Sequence, residues 1–324
     1  MLETIALPGS GRGTTRLGFG GSGLMGGISE RDSLRLLETA FDAGVRHFDV
    51  APAYGHGYAE RCLGKFLRGK RDHVTVATKY GILPPPQAGL LEMVRGVVRP
   101  VVARLPAVRK RVAQAAAGLK SKASFSAEEA RRSLERSLRE LGTDRVDLWL
   151  LHEATEKDLD GSDLLPWIQE TQRQGLIGAY GVGVDRRRVA EVWERHRDYC
   201  PVLQFEWSAL EKEQAHFPGA LVIHHRAISG AIDAFRDRIR QDAGLCRRWS
   251  NAVGVDLSDE RLLAGVLLQA ALAANPTGMV LFSSRVPEHI HANVDAAGET
   301  DACARGMRFL ETVAEKRDEI RTDE

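Results

Sequence analysis

Short apolar or β-branched runs alternate along this chain with longer stretches in which apolar residues recur every three or four positions. The runs are RLGFG (16–20), HFDVA (47–51), VTVATK (74–79), VDLWLLH (146–152), AYGVGV (179–184), VLQFEW (202–207), ALVIHH (220–225) and MVLFSS (279–284). Between them, Asp32–Phe41 places Leu34, Leu37 and Ala40 on one helical face, and Ala127–Leu141 places Leu134, Leu138 and Leu141 on one stripe opposite arginines and glutamates. Arg261–Ala273 follows the same period through Leu262, Val266 and Ala270. Gly142-Thr143-Asp144 reads as a helix stop before the next strand. Eight strands, each followed by a helix or a helix-like loop, predict parallel βαβ units. Strands apolar on both faces suit a closed barrel, an α/β fold of the (β/α)8 TIM class. An open doubly wound sheet has the same alternation, so periodicity alone leaves both.

One segment breaks the rhythm. Residues 83–125 stand where a few connecting residues would suffice; they open on Pro84-Pro85-Pro86 and carry many arginines and lysines against the single acid Glu92. Leu90, Leu91, Val94, Val98, Val101, Val102 and Leu105 recur at helical spacing, which predicts a helical insertion after the third strand. In a barrel it would leave the C-terminal, catalytic face, as a substrate lid, a site for an anion or partner, or a solvated excursion. Aromatic residues do not interleave with its charges, so nucleic acid is not the expected partner.

Composition narrows the picture. With 324 residues, 43% hydrophobic and 27% charged, the chain is long enough for a large core. Residues 1–324 fit one barrel domain, with 83–125 as its insertion. A formal charge of +1 gives no global field toward nucleic acid or an anionic membrane. Cys62, Cys200, Cys246 and Cys303 lie far apart with neither metal spacing nor a disulfide pattern, so they are expected to be reduced and no metal is expected. The N-terminus lacks the pattern of a signal peptide and no run is long enough to span a bilayer. The expectation is a cytoplasmic protein, monomeric or a small homo-oligomer.

Gly18-Phe19-Gly20-Gly21-Ser22-Gly23 matches the dinucleotide fingerprint G-x-G-x-x-G, whose third glycine should lie within the opening helix. Here Gly26 and Gly27 follow, and the helix is expected to start only at Ser29, an N-cap with Asp32 three residues on. A closely packed loop is the better account.

Asp49 and Tyr54, Lys79, and His152 stand at or just beyond the C-terminal ends of three strands, which a barrel brings to one mouth. Their types suit carbonyl reduction. A phenol with a pKa near 10 holds its proton too tightly to exchange it readily at neutral pH; an adjacent lysine cation favours the phenolate, and a carboxylate keeps that lysine charged. Tyr54 can then donate to a carbonyl oxygen as hydride reaches the carbon, while His152 orients the same oxygen.

These stretches resemble the aldo-keto reductase family. HFDVAPAYGHGYAERCLGKFL (47–67) is similar to the family's Asp and Tyr-Gly stretch, ATKYG (77–81) to its lysine strand, and SLERSLRELGTDRVDLWLLHEA (133–154) to its helix-strand-histidine unit. The resemblance, from about residue 14 to 296, implies that Asp49, Tyr54, Lys79 and His152 are the catalytic tetrad. It implies a nicotinamide cofactor, NADP(H) favoured over NAD(H), and a small carbonyl or alcohol substrate. Gln204 matches the glutamine that bonds the nicotinamide carboxamide, Asp185 stands where a side-chain donor is usual, and His224 stands where an aromatic ring stacks on nicotinamide. Ser283, Ser284 and Arg285 open a short helix suited to phosphates, with Arg285 toward a 2′-phosphate. His289 takes a later basic position and Asn293 matches one near adenine. Leu24, Met25 and Trp207 are expected to wall the substrate pocket. The competing reading is a regulatory subunit that keeps barrel and cofactor with little turnover.

Overall fold

In the computed structural model, the described residues are 2–83, 123–211, 216–314 and 320. Among these residues the strands run in the order β1 (Thr4–Ala6), β2 (Gly13–Thr15), β3 (Leu17–Gly20), β4 (His47–Asp49), β5 (Thr75–Tyr80), β6 (Val146–His152), β7 (Ile177–Gly183), β8 (Val202–Glu206), β9 (Leu221–His225) and β10 (Met279–Phe282). β3 to β10 close into a barrel in which all neighbours are parallel and β10 returns to pair with β3. That settles barrel against open sheet. Helices follow as α1 (Glu30–Asp42), α2 (Ala59–Phe66), α3 (Ala127–Leu141), α4 (Glu156–Leu159), α5 (Leu164–Arg173), α6 (Arg186–Arg195), α7 (Ile232–Gln241), α8 (Ala243–Val253), α9 (Glu260–Ala274), α10 (Pro287–Gly298) and α11 (Ala302–Ala314). Among the described residues no helix is long and apolar enough to cross a membrane.

Local chemistry sets the boundaries. Ser29 caps α1 by accepting the Asp32 N–H at 3.1 Å, as its spacing predicts. Ser126 caps α3, and Gly142 ends it in the left-handed region at φ 62°, ψ 38°. The glycines of 18–23 are packing residues: a Cβ on Gly18 would lie 2.6 Å from Leu281 Cδ2, and one on Gly21 2.9 Å from the Asp49 carbonyl. The segment Gly21–Gly23 is a 3-10 turn, not the start of a helix.

The barrel interior is filled, not hollow. Ala77, Leu148, Leu150, Ala179, Val202, Leu221, Ile223, Met279 and Leu281 form one buried cluster, with Leu7 from the N-terminal segment packed into it. The antiparallel pair β1–β2, which sequence periodicity does not show, brings Leu7 there, and Thr14 Oγ1 meets Thr75 Oγ1 at 2.7 Å. The four cysteines are unpaired.

Most of the 83–125 insertion, including its expected helices, lies outside the described residues. Its two ends meet at the C-terminal end of β5: Ala123 N–H donates to the Gly81 carbonyl at 2.8 Å, and the Tyr80 hydroxyl donates to the Ser124 carbonyl at 2.8 Å.

Candidate active site

Side-chain alternation along the strands decides what faces the mouth. The inward rows that carry the apolar cluster continue upward into a polar layer: Ala77 into Lys79, Leu150 into His152, Val202 into Gln204 and Glu206, and Ile223 into His225. Register then sets heights. Asp49 pairs with Ala77, Lys79 with Leu150, His152 with Gly183, Gly183 with Gln204, and Glu206 with His225.

Four expected residues come together here. The Lys79 ammonium donates to Asp49 Oδ1 and to the Val50 carbonyl, the latter at 3.2 Å. Its Nζ lies 5.0 Å from the Tyr54 ring centroid. Tyr54 and His152 stand edge to face, with centroids 6.1 Å apart and planes at 89°. Asp49 and Lys79 are buried, whereas Tyr54 and His152 are half-buried and open to the mouth.

The electrostatics correct one expectation. Burial pushes the Tyr54 phenol above its ordinary value, and this outweighs the opposing effect of the Lys79 cation. The phenol is therefore held protonated, not made more acidic. Burial also penalises the Lys79 cation, but the Asp49 carboxylate beside it counters this, and the lysine is held above its usual range. The ammonium thus persists in a buried position.

Tyr54 sits in a tight turn that packs on the first strand-helix loop. Gly55 has φ +57°, and a Cβ there would lie 2.5 Å from the Leu24 carbonyl oxygen and 2.6 Å from Met25 Cβ. Gly55→Ala should therefore displace the tyrosine. We expect a loss in kcat of about 100-fold, since a displacement near 1 Å is enough for that, while circular dichroism shows the fold retained; unchanged turnover would show that the turn does not position Tyr54.

Among the described residues, the non-glycine positions with positive φ are Met25, His56, Glu153 and Arg226. Each lies in a loop leaving the C-terminal end of a barrel strand. Backbone strain of this kind persists where surrounding structure holds it, and it clusters at functional sites.

A groove of about 970 Å³ opens over the tetrad and runs across the barrel mouth. Gln204, Asp185, Ser283, Ser284, His289 and Asn293 line it, together with Asp49, Tyr54 and His152. At one end α10 opens with Pro287 at its first turn, and Ser284 Oγ is already engaged with both the N–H and the carbonyl of Val286 at 3.0 Å. Arg285 is exposed beside Gly23, its Nε 3.7 Å from where a Cβ on that glycine would stand, and it is not among the residues that line the groove. Asp185 caps α6 by accepting the Arg187 N–H at 2.8 Å, which commits one carboxylate oxygen to the helix.

Several expected placements differ. His224 points outward, stacked on Trp207 at 5.4 Å with planes 7° apart, because its row on β9 is that of Val222 and not of Ile223. His225 takes the inward position and lines the groove. Trp207 is buried in that outer layer, and Leu24 is buried beneath the Gly21 turn, so neither walls the groove; Met25 packs partly buried on the core. The wall near Tyr54 consists of Ser22, Ala53 and Ile82. Sequence reasoning also missed Glu153, Glu206, Arg226 and Arg261, all of which line the groove. Inward parity was the available signal for Glu206 and His225.

Burial drives His47 and His225 down to about 4 and His224 down to about 3. Their folded values lie below the unfolded value near 6.5, so the unfolded chain takes up more protons as pH falls below 6.5. Stability should be full above that pH and decline toward 4. A melting temperature several degrees lower at pH 5 than at pH 7 is expected by calorimetry; equal values would contradict the burial of neutral imidazoles.

The groove carries the polar groups a dinucleotide calls for, with Asp185 and Gln204 near the tetrad and Ser283, Ser284, His289 and Asn293 toward α10. Among the described residues no group of three or more His, Cys, Asp or Glu is placed to hold a metal ion.

The family model for the Aldo/keto reductase family matches residues 16–218. D-threo-aldose 1-dehydrogenase of a Pseudomonas species is 32% identical over 184 residues, covering 55% of this chain and 50% of that protein. The chain thus matches about half the length of that relative. Pyridoxal 4-dehydrogenase of Microbacterium luteolum is 28% identical over 327 residues, covering 90% of this chain and 92% of that protein. Among solved structures, the holo form of a Bacillus halodurans aldo-keto reductase superposes with TM-score 0.69 at 20% identity, covering 95% of this chain and 96% of that one. A Klebsiella pneumoniae aldo-keto reductase in complex with NADPH gives TM-score 0.64 at 18% identity, covering 96% and 95%. At these identities the structures speak to fold.

Proposed function

The chain belongs to the aldo/keto reductase family, and from that premise we propose that it moves a hydride between NADP(H) and a small carbonyl compound or alcohol, with Tyr54 passing the proton. The observation that supports this most is the Lys79 ammonium set between the Asp49 carboxylate and the Tyr54 ring, beneath a groove of about 970 Å³.

The cofactor supplies or accepts the hydride at the substrate carbon. The remaining work belongs to the chain. In reduction, the Tyr54 hydroxyl donates its proton to the substrate oxygen as negative charge builds there. Lys79 then stabilises the resulting phenolate, which is where its charge matters most. Asp49 keeps Lys79 protonated in a buried site. His152, across from the tyrosine ring, offers a second hydrogen bond to the same oxygen and limits how the substrate turns. In oxidation the phenolate takes the alcohol proton back.

Gln204 and Asp185 stand where they can hold a carboxamide, and His225 replaces His224 as the ring on the inner wall. Ser283, Ser284 and the start of α10 suit a phosphate, His289 and Asn293 the adenosine end. The exposed Arg285, next in the chain to the groove-lining Ser284, is the reason to favour NADP(H) over NAD(H). D-threo-aldose 1-dehydrogenase and pyridoxal 4-dehydrogenase are named for an aldose and an aromatic aldehyde, which makes small aldehydes and aldoses the first substrates to try. The enzyme would act in the cytoplasm on a freely diffusing compound.

The test is absorbance at the nicotinamide band with a panel of aldehydes, ketones and aldoses, run with both cofactors. Turnover with at least one carbonyl or aldose, and tighter binding of NADPH than NADH, are expected. Cofactor binding without turnover across the panel would leave the regulatory-subunit reading instead.

A further inference from the structure

Asp49 has two buried partners, not one. Lys79 takes Oδ1, and Gln204 Nε2 donates to Oδ2 at 2.9 Å. An ionised carboxylate only accepts hydrogen bonds, so the nearer atom of the Gln204 amide is its nitrogen. Gln204 is buried at the barrel floor, and it reaches Asp49 across the interior from the far side, β8 to β4. Its carbonyl oxygen lies on the Gly183 side of the groove.

We infer that Gln204 is a positioning residue for proton transfer, setting through Asp49 how firmly Lys79 and Tyr54 hold their protons, in addition to touching the cofactor. This rests on the proposed reaction only for its kinetic readout. The Gln204 N–H draws part of the Asp49 negative charge toward β8. Without that donor, Asp49 binds the Lys79 ammonium more strongly, Lys79 has less to give the phenol, and Tyr54 faces a more concentrated carboxylate. Both effects make the phenolate harder to form, so the sign is fixed. The same amide presents one end to the relay and the other to the groove, so cofactor seating and proton affinity are coupled through one side chain.

Other titratable groups surround the same cluster, with Glu153 acting on the phenol and His47 and His225 on Asp49 and Lys79. His152 and Glu153 come from the end of β6, Glu206 from β8, His225 from β9, and His47 from one layer below Asp49 on β4. All of them stay in place when only Gln204 is changed.

The test replaces Gln204 by Met, which keeps length without the amide, and separately Gln204→Glu, which keeps shape and puts a second carboxyl beside Asp49. Tyr54 ionisation is read in the cofactor-free protein as tyrosinate absorbance, after subtracting the same titration of Tyr54→Phe. Binding constants for NADPH are read by protein fluorescence, and the pH profile of alcohol oxidation is read alongside. Gln204→Met should move Tyr54 ionisation upward by about half a pH unit or more, and Gln204→Glu further, while NADPH binding weakens. Weakened binding with the tyrosinate titration unmoved would reduce Gln204 to a cofactor ligand and overturn the inference, as would a downward movement or no change in either. Thermal unfolding of both variants shows that each is folded. If wild-type protein turns over no carbonyl compound, the reaction assignment fails, and the tyrosinate titration still decides the role of Gln204.

Discussion

Replacing Tyr54 by Phe should abolish turnover while leaving the protein folded and its affinity for cofactor unchanged. The ring keeps its place above Lys79 and opposite His152; what disappears is the hydroxyl that donates to the substrate oxygen. Positioned proton transfer contributes about 100- to 10,000-fold, and the fall in kcat should lie at the upper end, because the Tyr54 ring stands against both the Lys79 ammonium and the His152 ring. The melting temperature should change little, since the phenol faces the groove. Single-turnover mixing of the NADPH complex with an aldehyde separates this loss from any defect in binding. Retention of more than a tenth of the rate would remove Tyr54 from the chemistry.

The second large effect is at Lys79. Lys79→Met leaves the Asp49 carboxylate in the barrel interior with the Gln204 N–H as its remaining hydrogen-bond partner among the described residues. Breaking a buried ion pair from one side costs about 3–5 kcal/mol. For a chain of 324 residues that corresponds to a melting temperature lower by about 4–7 °C. Activity should fall by about 1,000-fold or more, because the phenolate loses its stabilising cation. Combining Lys79→Met with Asp49→Leu removes the stranded charge. That double variant should recover much of the lost stability and none of the activity, separating the two roles of the pair. If Lys79→Met alone were as stable as the wild type, the pair would not be holding the barrel floor.

Much of this was legible in the residues, and the exceptions have physical reasons. Apolar runs such as VDLWLLH mark strands because both their faces are covered, and Gly142 marked the end of α3 through its conformation. Asp49, Lys79 and His152 could be assigned because polar groups at strand ends have one place to go in a closed barrel. The same two-faced burial that reveals a strand conceals its parity. In LVIHH both alternating rows are apolar until the two histidines, so only pairing with β8 and β10 shows that Ile223 and His225 point inward and His224 outward. Trp207 was misplaced for the same reason. The β1–β2 pair escaped notice because strands of three residues carry no period. The phenol's direction of ionisation was misjudged because residue types show a neighbouring charge but not the extent of burial, and here burial wins.

The account turns on a phenolic proton that moves with the hydride. The measurement that probes it most directly is the single-turnover rate of alcohol oxidation as a function of pH, with cofactor bound. A phenol held above its ordinary value predicts a rate that rises about tenfold per pH unit through neutrality and on past pH 9, with the reductive rate flat over the same range. An oxidation rate independent of pH, or one whose rise survives unchanged in Tyr54→Phe, would contradict it.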